Sequence, residues 1–208
     1  MSKITFSISG LFQQAWIKFK TQPIFWVLIT VLSIVVGAVG DYGLDIDAET
    51  FEIKFSSFIG LIMSLISAYL TASITLMYIK FMRGESISFH DLLAIDFNKF
   101  VHYILAVLIS GVLMIFGFFL LIVPGFYLMA RLMFVQYLVL DKDIGFMDAI
   151  NLSFKMSNGH TLDLISFIFA MFFLLLLGFL SLFLGILIAI PVSSLASAQL
   201  YILFSTKN

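Results

Sequence analysis

The sequence predicts an all-α integral membrane protein of six transmembrane helices, forming a single membrane domain. Two observations carry this reading. The chain is 62% hydrophobic and only 11% charged over 208 residues, with a mean hydropathy of +1.15, whereas soluble domains run at roughly 45–50% apolar and about 25% charged. The apolar residues also gather into runs of membrane length, about 20 residues of helix each, with polar segments between them.

The first run covers residues 23–40, with Trp26 near its start, and the second covers 55–79. The third, 100–123, ends at Pro124-Gly125, where a residue without a donor and one without a side chain predict a structural break. A short fourth run, 126–140, follows. Residues 162–204 are too many for one crossing and just enough for two. Gly178 and Gly185 bracket the expected turn, giving spans near 162–180 and 184–204, and Pro191 is expected to kink the last helix. Some twenty mixed residues precede the first apolar run, which reads as an uncleaved anchor rather than a signal peptide.

Lysine and arginine set the orientation. With six spans, Lys3, Lys18, Lys20, Lys80, Arg83, Lys99, Lys142, Lys155 and Lys207 fall on one side, and only Lys54 on the other. Nine against one places both termini in the cytoplasm and the acidic 41–54 loop outside. Crossing by the short fourth run preserves the bias, because otherwise Lys142 and Lys155 would face outward.

Each cytoplasmic segment reads as an amphipathic helix lying at the headgroup level. These segments fall near 8–22 (Ile8, Leu11, Phe12, Ala15, Trp16, Phe19), 86–99 (Phe89, Leu92, Leu93, Phe97) and 145–158 (Phe146, Met147, Ile150, Phe154). Gly10-Leu11-Phe12 with Phe19-Lys20 matches Gly145-Phe146-Met147 with Phe154-Lys155 at identical spacing. The pattern predicts one interfacial helix plus one hairpin of spans, used three times.

Little in the sequence carries chemistry. There is no Cys, hence no disulfide, thiolate or Cys metal site. A net charge of −1 gives no nucleic-acid signal. No H-E-x-x-H, G-x-S-x-G or P-loop is present. His90-Asp91, His102 and His160 with Asp163 are the only His neighbourhoods; they read as ordinary interfacial side chains, with Asp163 placed favourably at a helix start. No catalytic, cofactor or metal residue is assigned. Because the acidic residues fall in loops or at span ends, carboxylate-coupled ion transport is disfavoured and passive conduction is left open.

Arg131 stands out as the one charge within a membrane-length run. Such a charge costs roughly 2.5–3.5 kcal/mol on insertion scales unless it finds partners or reaches the interface. Counting from Pro124 at about 1.5 Å per residue puts it roughly 10 Å deep. Two readings stay open: a structural role, with the guanidinium snorkelling or bonding to hydroxyls, and contact with an anionic lipid group. Its expected surroundings are Gln136, Ser67 and Thr71 of the second span, and Gln199 of the sixth. Ser64, Ser67, Thr71, Thr75 and Tyr78 form one helical stripe, and Ser193, Ser194, Ser197 and Tyr201 supply a similar set on the last span. Such residues let membrane helices pack closely, or they line a polar channel.

The run Ile122-Val123-Pro124-Gly125-Phe126-Tyr127-Leu128-Met129-Ala130-Arg131-Leu132 precedes Tyr137-Leu138-Val139, Asp141, Ala149-Ile150, Ser153-Phe154 and Ser157-Asn158-Gly159. Together these resemble the P-G-x-Y-x-x-x-R-L signature of a family of bacterial six-span proteins. The family includes the YciC-like inner-membrane proteins and the membrane domain fused to some glycerophosphodiester phosphodiesterases. Leu76-Met77-Tyr78, Arg83-Gly84-Glu85 and Phe89-His90-Asp91-Leu92 resemble its other recurrent segment. The resemblance runs from about Ser64 onward. It implies signature roles for Pro124, Gly125, Tyr127 and Arg131, and no catalytic residue, since hydrolysis in the fused enzymes belongs to a soluble domain that has no counterpart here. The connection between the fifth and sixth spans is short against the family pattern.

The expected function is therefore a non-enzymatic membrane protein that binds or organises lipids, a membrane protein partner or a second copy of itself. The alternatives are a passive channel or small transporter, and a lipid-modifying enzyme.

Overall fold

Apolar runs become helices here, and the polar and small residues between them set where each helix starts and stops. The computed structural model describes residues 5–43, 55–181 and 185–206, and contains no strand among them. The helices are α1 (Ile8–Phe19), α2 (Pro23–Gly43), α3 (Phe55–Arg83), α4 (Phe97–Leu120), α5 (Ile122–Leu132), α6 (Val135–Lys142), α7 (Phe146–Met156), α8 (Thr161–Leu180) and α9 (Ile186–Ser205), with a 3-10 turn at Phe89–Leu93. Five segments are long and apolar enough to cross a bilayer: Phe58–Arg83, Phe97–Leu120, Ile122–Lys142, Thr161–Leu180 and Ile186–Ser205. The pair formed by α1 and α2, bent by 99°, counts as a sixth if the two together make one span. Only 17% of the apolar window of α8 and 22% of that of α4 is buried inside the protein. So much bare apolar surface needs lipid as its solvent. The described residues are helical, with five or six segments long and apolar enough to cross a membrane. Residues 44–54, the acidic loop expected outside, lie beyond the described residues, as do Lys3, Lys54 and Lys207.

The bundle closes around α9, which packs against α1, α2, α3 and α8. Its inner side is small and aromatic: Ala196, Ala198, Tyr201 and Phe204 are all fully buried. Pro191 sits near the start of α9, and the helix runs through it unbroken. α1 starts at Ser7, whose hydroxyl accepts the Gly10 N–H. It buries Leu11, Ala15 and Phe19, mostly against α9. Phe12 stacks on Phe167 of α8, while Lys18 donates to the Phe81 carbonyl of α3. α1 thus straps three helices. Trp26 of α2 stacks on Tyr78 of α3 at 4.5 Å between ring centroids and meets Phe81 edge-on; aromatic pairs of this kind contribute about 0.5–1.5 kcal/mol beyond area burial.

Two connections use glycine for close approach. The α4–α5 link is Leu121 alone, in extended conformation, and the chain folds straight back. A Cβ on Gly117 would lie 2.8 Å from Leu128 and 3.2 Å from the Gly125 Cα. Gly178 and Gly185 meet in the same way at the α8–α9 turn, where a Cβ on Gly185 would lie 2.7 Å from the Gly178 carbonyl oxygen.

Several sequence expectations need correction. The break expected at Pro124-Gly125 occurs at Leu121, and Pro124 falls inside the first turn of α5, where its missing N–H has no helical partner to lose. The run expected as 126–140 begins at Ile122 and is interrupted at Met133-Phe134. The segment 86–99 forms no amphipathic α-helix. Asp91 accepts from Lys80 Nζ at 2.8 Å and from the Ser88 N–H at 2.8 Å, which draws the chain into a short capped turn. Of the apolar face expected there, Leu92 is buried, but Phe89, Leu93 and Phe97 are exposed. α7 forms where expected, yet its buried residues are Ala149, Ile150, Ser153 and Met156, and Met147 is exposed. The threefold repeat therefore lacks its middle interfacial helix.

Gly185→Ala forces atoms below contact distance against backbone and is expected to destabilise the protein by about 1–3 kcal/mol, read as a lower thermal midpoint in detergent. Gly111→Ala, with nothing within 4 Å of the new Cβ, should leave the midpoint unchanged or raise it slightly. The 3-10 turn gives a pH test. The hydrogen bond from Lys80, then that from the Ser88 N–H, holds the Asp91 carboxyl below its ordinary value of 3.8. The folded pKa lies below the unfolded one, so this stabilisation is present above the ordinary carboxylate range and fades as pH falls through the folded value. Pepsin cleavage within 84–95 should be faster in Asp91→Asn than in wild type at about pH 5, and the difference should close toward stronger acid.

Candidate functional site

The α5–α6 interruption decides where Arg131 sits. It occupies the last turn of α5, where carbonyls lack in-helix partners and a cation is favoured by the helix dipole, worth about 0.3–1 kcal/mol. Its own carbonyl accepts from Ser153 Oγ at 2.7 Å. Ser157, one turn further along, donates to the Ser153 carbonyl at 2.7 Å and reaches the Arg131 carbonyl at 3.5 Å. Both serines are fully buried, and they clamp the C-terminal end of α5 to α7.

The guanidinium follows the same direction. It lies over the Phe154 ring of α7 at 5.1 Å and over Tyr127, one turn back on α5, at 5.6 Å. Nη1 faces Asn158 Oδ1 at 3.5 Å, in the turn between α7 and α8. The residue is 9% exposed, and its Nε is buried without an acceptor among the described residues. Two ring faces give a desolvated cation about 2 kcal/mol of stabilisation, but they fill no donor. No carboxylate pairs with Arg131 among the described residues, although Lys80 pairs with Asp91, Arg83 with Asp141 and Lys99 with Asp143.

The surroundings expected for Arg131 lie elsewhere. Ser67 and Thr71 border a cleft of about 330 Å³ between α2, α3 and α4, together with Ser64 and Tyr103. Thr71 also borders a smaller cleft of about 170 Å³ with Thr30, Ser33, Thr75, Tyr78 and Ser194, from α2, α3 and α9. Gln136 and Gln199 are half-buried, and neither bonds to Arg131 among the described residues. Depth counted from Pro124 misled because Arg131 reaches toward the α7–α8 turn, not across to α3. The hydroxyl stripe on α3 is real and faces both clefts. Two of its hydroxyls donate back to their own helix: Thr71 to the Ser67 carbonyl at 2.9 Å and Thr75 to the Thr71 carbonyl at 2.8 Å.

A second polar cluster was not foreseen. Asp141, at the end of α6 with a side chain 8% exposed, accepts from Arg83 Nη1 at 2.5 Å and Nη2 at 2.6 Å, and from the Tyr201 hydroxyl at 2.6 Å. It ties α3, α6 and α9 together, while Tyr137 stacks on Tyr201 beside it. Nothing local in the sequence pairs residues 83, 141 and 201; only the excess of charge at span ends hinted at such a contact. The His neighbourhoods stay dispersed: His102 packs near Phe146, and His160 lies 3.6 Å from Asp163 and edge-on to Phe204. Asp163 stands in the first turn of α8. No group of three His or acidic side chains gathers into a metal-holding arrangement among the described residues.

No protein-family model, curated protein or solved structure matches the chain.

Asp141→Asn weakens the fork to Arg83 and is expected to destabilise the protein by about 1–3 kcal/mol, since Arg83 keeps partial access to solvent. Tyr201→Phe removes one hydrogen bond and strands no charge, so its loss should be smaller. Thermal unfolding of both variants in detergent measures the order.

Proposed function

We propose that the chain is a non-enzymatic protein of the bacterial cytoplasmic membrane that binds an anionic lipid group at Arg131, and so organises lipid or a membrane partner around the α5–α7–α8 corner. The observation that carries this is the buried guanidinium, held between two rings, with one donor unfilled and no carboxylate opposite it. A phosphate oxygen supplies the missing acceptor and the missing charge, and guanidinium is well suited to it. Exposed Asn158 and Lys155 stand at the same turn, where a headgroup arrives from the interface. The proposed topology has six spans with both termini cytoplasmic, so that this turn and the basic residues share one side; α1 and α7 then lie near the headgroup level on that side. The Pro124, Gly125, Tyr127 and Arg131 pattern supports kinship with the YciC-like family.

A passive conduction role is the second reading, favoured by the hydroxyl-lined clefts that share Thr71.

Native mass spectrometry of detergent-purified protein tests the first reading. Wild type is expected to retain phosphatidylglycerol, Arg131→Leu to lose most of it, and Arg131→Lys to keep part, because the charge remains while the two-pronged geometry does not. Equal retention by wild type and Arg131→Leu would falsify it.

A further inference from the structure

The cleft between α2, α3 and α4 has a different chemistry from the Arg131 corner. Ser64, Ser67 and Thr71 of α3 line one wall, and Tyr103 of α4 lines another beside Ile104 and Val107. No charged residue takes part among the described residues. Tyr103 is only 3% exposed, and its hydroxyl makes no hydrogen bond among the described residues. Its proton is not committed to a protein acceptor there, and buried tyrosines usually place the hydroxyl where a partner can reach it. Thr71 is the complement. Its proton is committed to the Ser67 carbonyl at 2.9 Å, so its oxygen offers only lone pairs. The cleft thus presents a free donor on α4 and an acceptor on α3, between apolar side chains, on two helices long and apolar enough to cross a membrane. Its volume of about 330 Å³ falls at the small end of the usual range for ligand sites, roughly 300–1,000 Å³.

We infer that this cleft binds the free hydroxyl of an uncharged lipid of the diacylglycerol type, the hydroxyl accepting from Tyr103 and donating to Thr71. A hydroxyl both accepts and donates, which neither an ester nor an ammonium does, and a charged headgroup has no counter-charge here to offset its desolvation. Free glycerol carries the same hydroxyl chemistry without the acyl chains. The site is independent of Arg131, and its failure leaves the anionic-lipid reading untouched.

The test uses full-length protein in detergent, titrated separately with dioleoylglycerol and with glycerol and read by native mass spectrometry. Wild type is expected to form a one-to-one dioleoylglycerol adduct. Tyr103→Phe, which removes one oxygen, is expected to weaken the adduct about five-fold while phosphatidylglycerol retention stays at the wild-type level. Gly37→Leu is the occluding variant: Gly37 lines the cleft and, among the described residues, a Cβ there meets only Ser67 Oγ, at 3.8 Å, so the larger side chain should abolish the adduct while the thermal midpoint, measured alongside, stays at the wild-type value. If glycerol binds with the same Tyr103 dependence and dioleoylglycerol does not, the hydroxyl chemistry holds but the lipid assignment is overturned. Adducts equally strong in wild type and Tyr103→Phe, or no adduct from either probe, overturn the proposal altogether.

Discussion

The bond from Ser153 to the Arg131 carbonyl is the contact on which the arrangement of the site depends. An interrupted helix in an apolar setting leaves backbone carbonyls that water cannot reach, and each must be satisfied from within the protein. The interruption at Met133-Phe134 creates that need, and α7 answers it with two buried serines one turn apart. Once α7 is fixed there, Phe154 comes to lie on the guanidinium and Asn158 falls beside it. The backbone requirement and the placement of the charge are one structural event.

Three other basic side chains follow a different rule. Lys80, Arg83 and Lys99 each meet a carboxylate at or near a helix end. The Asp141 fork joins three helices that are distant in sequence, so it fixes relative positions rather than local structure. Arg131 breaks the pattern because its neighbours are rings and an amide. That contrast separates a charge used as a clamp from one left with bonding capacity. The hydroxyl-lined clefts add a third environment, without charge among the described residues, one between α2, α3 and α4 and the other between α2, α3 and α9.

Much of the helical plan was legible in composition and run length, because bilayer thickness dictates how many apolar residues a crossing needs. The turn near Gly178 and Gly185 was also legible, since only small residues permit the backbones to come so close. The hydroxyl stripe on α3 followed from helical periodicity, and Thr71 with Ser67 does line a common cleft. Two things were hidden. The 86–99 segment looked amphipathic by spacing, but the Asp91 carboxylate, held by Lys80, takes the Ser88 N–H and fixes a short turn instead. The surroundings of Arg131 were misread because depth along one helix says nothing about which neighbour a long side chain leans toward; the spacing of Ser153 and Ser157 on α7 was the available clue.

The single-residue link between α4 and α5 bears on how the chain enters the bilayer. With Leu121 alone separating the two helices and Gly117 pressed against Gly125, neither segment has slack to settle while the other waits outside. A pair joined so tightly is suited to entering an apolar phase as one hairpin. A lengthened linker would uncouple that step during biogenesis while leaving every contact of the finished molecule available.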